Sequence, residues 1–126
     1  MIEIVCEVVV KPEASGLFAL AYGPGGAWSD LFTRAAGFRG ITVLRDAHDP
    51  QHFVIVEVWD SEEARAQSLI DHATAYAALQ TTLDDWVVST RELGIFGILS
   101  EATVRARPGT SQPVTSRGRR ARSSRR

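Results

Sequence analysis

The stretch FVIVEVWDSEEA, residues 53–64, places a short apolar segment directly before a run of acidic residues. Phe53 to Trp59 is rich in β-branched and aromatic side chains, which is typical of a strand. Asp60 followed by Glu63 resembles a capping box, and acidic residues suit the positive end of a helix. The stretch therefore predicts a strand that leads directly into a helix.

Three further segments have the composition of strands. They are Ile2 to Val10, Phe38 to Asp46 and Trp86 to Phe96. Each is rich in β-branched or aromatic residues and has Gly, Pro or Asp close to at least one end. Together with residues 53–59 they predict a sheet of four strands.

The segment AYGPGGAW, residues 21–28, interrupts a helical pattern between the first two predicted strands. Beyond it, Trp28, Leu31, Phe32 and Ala35 have the spacing of one helical face. A phosphate loop would need a Gly-Lys-Ser/Thr ending, and a dinucleotide-binding turn would follow a strand directly. Neither condition holds, so we interpret the segment as the start of the helix that carries Trp28, with Pro24 suited to its first turn. A ligand-facing loop is the alternative.

The order of elements is strand, helix, strand, strand, helix, strand, with a possible bend of the second helix near His72. This order predicts an α+β protein of the ferredoxin-like βαββαβ type, an antiparallel sheet with both helices on one face. We expect the helices to cover the even-numbered residues of the first and third strands.

The other face of this sheet is predicted to be too apolar for water. It would carry Val5, Val9, Phe53, Ile55 and Trp59. Exposed apolar patches of this kind mark interaction surfaces, so we expect a second copy of the chain to cover it. Two sheets packed face to face would make a homodimeric α+β barrel with an enclosed chamber.

Charge divides the chain into two parts. Residues 1–104 hold all 15 acidic residues and six basic ones, whereas residues 105–126 hold eight arginines and no acid. We predict a folded domain over 1–104 and a disordered arginine-rich tail over 105–126, because the tail has almost nothing apolar to bury. The tail is expected to be a solvated appendage, with non-specific contact to nucleic acid as the alternative.

Length and composition indicate one globular domain. No apolar run approaches the roughly 18 residues needed to span a bilayer, and the N-terminus has strand-like sequence in place of a signal peptide. We therefore expect a cytoplasmic protein without membrane contact. Cys6 is the only cysteine, which excludes an internal disulfide and favours a small buried hydrophobe at that position.

Three motifs give the sequence a family resemblance. With this order of elements, FRGITVLRD (38–46), VEVWDSEEA (56–64) and HATAYAAL (72–79) resemble the antibiotic biosynthesis monooxygenase family over about residues 1–97. The resemblance implies a dimeric α+β barrel with a pocket between sheet and helices or in the barrel interior. It also implies oxidation of aromatic or quinol-like substrates by O2 with no metal or flavin cofactor.

One branch of the same fold degrades haem with an Asn on the first strand and a Trp and a His on the second helix. The corresponding positions here are near Glu7, Ser68 and Ala78. None of these holds the expected residue, so the resemblance argues against haem oxygenation.

Glu7 and Glu57 are the first candidates for catalysis, because they lie on neighbouring strands and are expected on one face. Two carboxylates in a partly dry cavity repel each other, so one would have a raised pKa and act as a general base. Val5, Phe53, Ile55 and Trp59 would then line the substrate site. The alternative is that each glutamate pairs with an arginine, among which we considered Arg39, Arg45 and Arg91.

Histidines and a tyrosine supply the second group of candidates. His72 and Tyr76 are four residues apart, so they are neighbours on one flank of a helix and could relay a proton or orient a substrate. A packed Tyr beside a surface His is the alternative. His48 and His52 lie with two aspartates in a turn, which is more typical of a solvated loop than of a metal site.

These observations predict a cofactor-independent monooxygenase that acts on a small aromatic or quinol-type molecule in the barrel cavity. Two other functions fit the same pattern: a ligand-binding or assembly module without turnover, and a cyclase that acts on polyketide chains.

Overall fold

The computed structural model describes residues 1–99 and 104–109. Its sheet consists of β1 (Ile2–Val10), β2 (Phe38–Arg45), β3 (His52–Trp59) and β4 (Val87–Gly97). All neighbouring strands are antiparallel, and their order across the sheet is β2-β3-β1-β4. This order confirms the ferredoxin-like arrangement that the sequence predicts.

Each predicted helical region is divided into two helices. The first region contains α1 (Ser15–Tyr22), after a 3₁₀ turn over Pro12–Ala14, and α2 (Ala27–Thr33). The second contains α3 (Glu62–Asp71) and α4 (Ala73–Trp86). The break between α3 and α4 falls at His72, where a bend was predicted.

The glycine-proline segment re-aims the chain between α1 and α2. The Gly23 amide donates to the Ala19 carbonyl at 2.9 Å, and the Ser29 hydroxyl donates to the Gly23 carbonyl at 2.5 Å. A Cβ at Gly26 would lie 2.0 Å from the Leu20 carbonyl oxygen, so only glycine permits this close approach. Our structural interpretation therefore agrees with the fold, except that Pro24 lies in the turn before α2 and not in its first turn.

The junction between β3 and α3 differs in detail from the prediction. The cap of α3 is Ser61, whose hydroxyl accepts the Ala64 amide at 3.1 Å, so the assignment of this role to Asp60 was wrong. Asp60 instead accepts from Arg39 Nε at 2.5 Å. A serine cap serves the same purpose, because it satisfies an amide that the first turn of a helix leaves without a backbone partner.

The predicted assignment of strand residues to the two faces was wrong for β3. The register pairs even-numbered residues of β1 with odd-numbered residues of β3, for example Ile4 with Glu57 and Cys6 with Ile55. Residues that face each other across two strands lie on the same side of a sheet. Phe53 and Trp59 therefore lie under the chain's own helices, and they are almost completely buried.

Aromatic packing joins the helices to the sheet. Trp59 is fully buried and meets the Phe32 ring edge-on, with ring centroids 6.1 Å apart, while Phe18 packs on Phe53 at 4.7 Å. Trp28 contacts the Tyr76 ring at 5.8 Å, which connects α2 to α4. Large rings of this kind contribute most of the buried apolar area in a small core.

The opposite face of the sheet, here termed the outer face, is apolar as predicted, although several of its residues differ. Val5 and Val9 belong to it, but β3 contributes its even-numbered residues. The outer face includes Val5, Val9, Leu44, Val54, Val56, Val58 and Phe96. The Leu44 and Phe96 side chains are about half exposed, which leaves a contiguous apolar surface that no described helix covers.

Within the described part of the chain, no helix has the length and apolar character needed to cross a membrane. Most of the predicted arginine-rich tail, including residues 110–126, lies outside the described residues, as do residues 100–103. The division at residue 104 therefore stays a prediction.

The tight turn makes a testable prediction about Gly26. We expect Gly26→Ala to lower the free energy of unfolding by about 1–3 kcal/mol, because its methyl group would overlap the Leu20 and Ala21 carbonyls. Gly16→Ala is the matched control, since Gly16 is exposed in α1 and a Cβ there meets nothing within 4 Å. Urea unfolding of both variants measures the difference, and equal stability would contradict the proposed close approach.

Candidate functional site

A cavity of about 460 Å³ lies between the covered face of the sheet and the helices. Its inner wall is apolar and aromatic, whereas polar side chains of α4 and β4 lie at its more exposed side. It is lined by Cys6, Val8, Tyr22, Trp28, Phe32, Ile55, Glu57, Arg65, Leu69, Tyr76, Ala77, Gln80, Leu83, Asp84, Val87 and Thr90. A mostly apolar cavity with a few polar groups is the usual form of a small-molecule site.

Glu57 brings a carboxylate into this apolar cavity, and only 6% of the residue is exposed. Its Oε1 atom accepts from Trp59 Nε1 and from Arg65 Nε, both at 2.9 Å. Among the described residues, none forms a hydrogen bond with Oε2. One oxygen of the carboxylate is thus held in place by two donors.

The chain places these three side chains together by simple local rules. Residues two apart on a strand point to the same face, so Trp59 can reach back to Glu57. Arg65 lies on α3, which starts immediately after β3 and covers this end of the sheet. Burial opposes the charge of Arg65, but its hydrogen bond with Glu57 and their attraction outweigh this effect and raise the arginine pKa.

Two phenols and a thiol line the same cavity as the carboxylate. The Tyr76 hydroxyl lies 3.0 Å from the Ser68 hydroxyl, a hydrogen bond across the break between α3 and α4. Burial, reinforced by the negative charge of Glu57, raises the pKa of Tyr22, Tyr76 and Cys6. All three groups therefore stay protonated at neutral pH and can act as hydrogen-bond donors.

The structure brings only some of the predicted site residues into the cavity. Glu57, Tyr76 and Ile55 line it. Trp59 is buried behind Glu57 and supports the carboxylate, whereas Phe53 lies in the core beside a separate groove. The alternative of glutamate-arginine pairing holds for both glutamates. Glu7 pairs with Arg91, which the sequence analysis named, and Glu57 pairs with Arg65, which it did not.

Glu7, Val5 and His72 do not join the cavity. The first two lie on the outer face, so the expected pairing of Glu7 with Glu57 was wrong. His72 ends α3 and begins α4, and its described hydrogen bonds are made by its backbone. The structure instead pairs Tyr76 with Ser68, whose hydroxyls meet across the break at His72.

Glu7 belongs to a charged cluster at one end of the outer face. Its Oε2 atom lies 2.8 Å from His52 Nε2, and its Oε1 atom accepts from Arg91 Nη2 at 3.0 Å. Asp46 Oδ2 lies 2.9 Å from the other ring nitrogen of His52. These hydrogen bonds lower the pKa of both carboxyls and raise that of His52.

Sequence reasoning missed Arg65 and Tyr22. An arginine one turn into a helix that follows a strand with a glutamate is a usable sign of such a pair, but it does not reveal whether that glutamate is buried. Tyr22 ends an apolar helix just before the glycine turn. Its orientation depends on that turn and is visible only in the folded chain.

The fold and the cavity define a class of small α+β proteins with a cavity between a ferredoxin-like sheet and its helices. The sequence matches the antibiotic biosynthesis monooxygenase family over residues 1–77. The chain therefore belongs to the antibiotic biosynthesis monooxygenase family. A search of curated proteins found no significant match.

Solved structures share this fold at low sequence identity. A Nitrosomonas europaea protein that bears the family's name has 20% identity and a TM-score of 0.61, covering 79% of this chain and 99% of its own. PA3566 from Pseudomonas aeruginosa has 12% identity and a TM-score of 0.57 over 78% and 94%. A variant of SnoaB, a cofactor-independent oxygenase from Streptomyces nogalater, has 20% identity and a TM-score of 0.55 over 77% and 91%.

The charged cluster predicts a pH dependence of stability. Folding raises the pKa of His52 above its ordinary value of 6.5. The contribution of His52 to the free energy of unfolding is therefore complete below pH 6.5 and is lost as pH rises through the folded-state pKa. The lowered pKa of Glu7 has the opposite effect, so its contribution is lost as pH falls below its ordinary value of 4.5. We expect Glu7→Gln to destabilise the protein most between these two values.

Urea unfolding from pH 4 to pH 9 measures this difference, and NMR titration of His52 gives its pKa directly. We expect Glu7→Gln to lower the His52 pKa, whereas Glu63→Gln, on the exposed side of α3, is the matched control. A stability difference between wild type and Glu7→Gln that does not vary with pH would contradict the coupling.

Proposed function

We propose that this protein is a cofactor-independent monooxygenase that acts on a small aromatic or quinol-type substrate. The observation that carries the proposal is the buried Glu57 carboxylate, which lines an aromatic cavity and has one oxygen fixed by Arg65 and Trp59. Family membership and the fold shared with SnoaB, itself a cofactor-independent oxygenase, support it.

In the proposed reaction Glu57 removes a proton from an acidic C–H or O–H group of the substrate. The resulting anion is electron-rich and can pass an electron to O2, after which the two radicals combine at carbon. Loss of water from the peroxide then leaves a carbonyl group. For an anthrone the sum is one CH2 group and one O2 giving one C=O group and one water, so atoms and electrons balance without an external reductant.

The neighbours of Glu57 have defined parts in this proposal. Arg65 is close enough to stabilise the substrate anion once the carboxylate has taken up the proton. The Tyr76 phenol is held by Ser68 and is suited to donate to a substrate oxygen. Trp28 and Phe32 provide flat apolar surfaces for an aromatic ring.

We also propose that two copies associate through their outer faces. The valines of β1 and β3 leave an apolar surface there, and soluble monomers rarely expose one of this kind. The Val5 and Glu7 side chains, predicted to belong to the substrate site, would then lie in or beside the interface. In this arrangement each chain keeps its own cavity on the far side of its sheet.

A ligand-binding module without turnover is the second candidate. The observation that favours it is the charge compensation of Glu57 by Arg65, since an ion pair can recognise a polar ligand without removing a proton. A cyclase would use the same acid and base groups but would not consume O2. The three functions therefore differ in oxygen uptake and in product formation under anaerobic conditions.

The oxygenase proposal predicts O2 uptake with an anthrone or a dihydroxynaphthalene as substrate. We expect Glu57→Gln to reduce kcat/KM at least about 100-fold, the usual effect of losing a general base. Glu63→Gln, which removes an exposed carboxylate from α3, should leave the rate unchanged. Ligand binding without O2 uptake by the wild type would instead support the binding module, and anaerobic turnover would support a cyclase.

The proposed dimer predicts that a charge at the centre of the outer face keeps the chains apart. Val56 lies between Val5 and Thr42 in the register, so Val56→Glu should convert a dimer to a monomer in sedimentation velocity, because a buried unpaired charge is costly. Leu20→Glu, at a position 72% exposed on α1, is the matched control and should remain dimeric. A monomeric wild type at about 100 μM, well above the micromolar range of moderate affinities, would refute the dimer.

A further inference from the structure

A second groove lies beside the cavity on the same face of the sheet. It has a volume of about 500 Å³ and lies over β2, the edge strand, beneath the turn between α1 and α2. Ile41, Val43 and Phe53 form its floor, and Gly23 and Pro24 contribute to its opposite wall. The cavity lies over β3, β1 and β4, so the two spaces are neighbours across the sheet.

Tyr22 separates the cavity from the groove. Of the described residues, it is the one that lines both spaces. Its ring stacks on Trp28 with centroids 5.5 Å apart and packs against Phe18 at 4.8 Å. These contacts, together with the close turn that follows α1, hold the ring in place between the two spaces.

The volumes of the cavity and the groove indicate which ligands fit when Tyr22 separates them. Each space by itself falls in the lower half of the range of about 300–1,000 Å³ that is typical of ligand sites. Joined, they would approach its upper end and form one elongated slot along the sheet. A compact aromatic molecule fits the cavity alone, whereas a longer flat molecule would meet the Tyr22 ring.

The groove also carries a positive charge, from Arg45. The Arg45 guanidinium lies 5.9 Å from the centre of the Phe53 ring and is exposed to solvent. A cation over an aromatic ring at the mouth of an apolar groove suits the acidic group of a flat aromatic ligand. The groove therefore suits the carboxylate end of a long aromatic ligand.

We infer that Tyr22 sets the length of the ligand this protein accepts: it closes the Glu57 cavity against the Arg45 groove and excludes aromatic molecules that need both. The inference rests on the proposed function only in taking the cavity to be a ligand site. Beyond the proposed function, it assigns to Tyr22 the selection of ligands by size. It also predicts that a smaller side chain at position 22 would make the groove accessible from the cavity.

The test compares the binding of two quinones that cannot be oxygenated further. The probes are anthraquinone-2-carboxylate and a linear four-ring quinone with a terminal carboxylate, and binding is followed by quenching of tryptophan fluorescence. We expect the wild type and Tyr22→Phe to prefer the three-ring probe at least about tenfold, the effect of a modest steric misfit. Tyr22→Leu keeps an apolar side chain against Trp28 but should lose this preference.

A methyl NMR experiment on the wild type tests the same partition without a substitution in the core. The three-ring probe should shift the Ile55 and Val8 methyl resonances, which belong to the cavity, and leave those of Val43 in the groove unchanged. Equal shifts at Val43 would overturn the inference. This readout applies even if Tyr22→Leu does not fold.

The outcomes separate this inference from the proposed function. If Tyr22→Leu keeps the wild-type preference, Tyr22 does not set ligand length, and the oxygenase proposal is unaffected. If the wild type binds neither quinone, both proposals fail. Gain of four-ring binding by Tyr22→Leu, and its loss in Tyr22→Leu/Arg45→Gln, would support the joined slot with its acidic end at Arg45.

Discussion

The ion pair between Glu57 and Arg65 is the interaction on which the site depends. A carboxylate that is almost completely buried needs a compensating charge, because removing it from water without a partner costs several kcal/mol. Arg65 provides that charge from α3, and the Trp59 indole adds a second hydrogen bond to the same oxygen. The pair therefore ties α3 to the sheet and at the same time gives an aromatic cavity its main polar group.

Two interruptions of helical structure shape the space around this pair. The glycine turn after α1 fixes Tyr22 between the cavity and the neighbouring groove, and the break at His72 allows the Ser68 and Tyr76 hydroxyls to meet. A continuous helix in either region would place different side chains toward the sheet, since each residue turns the helical face by about 100°. The breaks thus contribute to the site as much as the regular elements do.

The two faces of the sheet carry different groups of residues. The covered face holds the aromatic core and the cavity, whereas the outer face holds valines and a charged cluster around Glu7 and His52. The carboxylates that the sequence suggested as one catalytic pair are therefore divided between the faces. Each carboxylate has a partner on its own face of the sheet: Arg65 for Glu57, and His52 and Arg91 for Glu7. These partners compensate both charges within a small protein.

The sequence by itself determined the strands, their order, the glycine turn and the presence of a second apolar face, because these follow from local composition, spacing and turn chemistry. Only the tertiary structure decided which residues of β3 meet the helices. Both faces of that strand are apolar, so the alternation of its residues defines two sets without indicating which set the helices cover. Glu57, the one acidic residue of β3, led to the wrong assignment, because a charged residue was expected on the uncovered face. The partner of Glu57 was likewise undetermined, since Arg65 reaches it only after α3 has packed on the sheet.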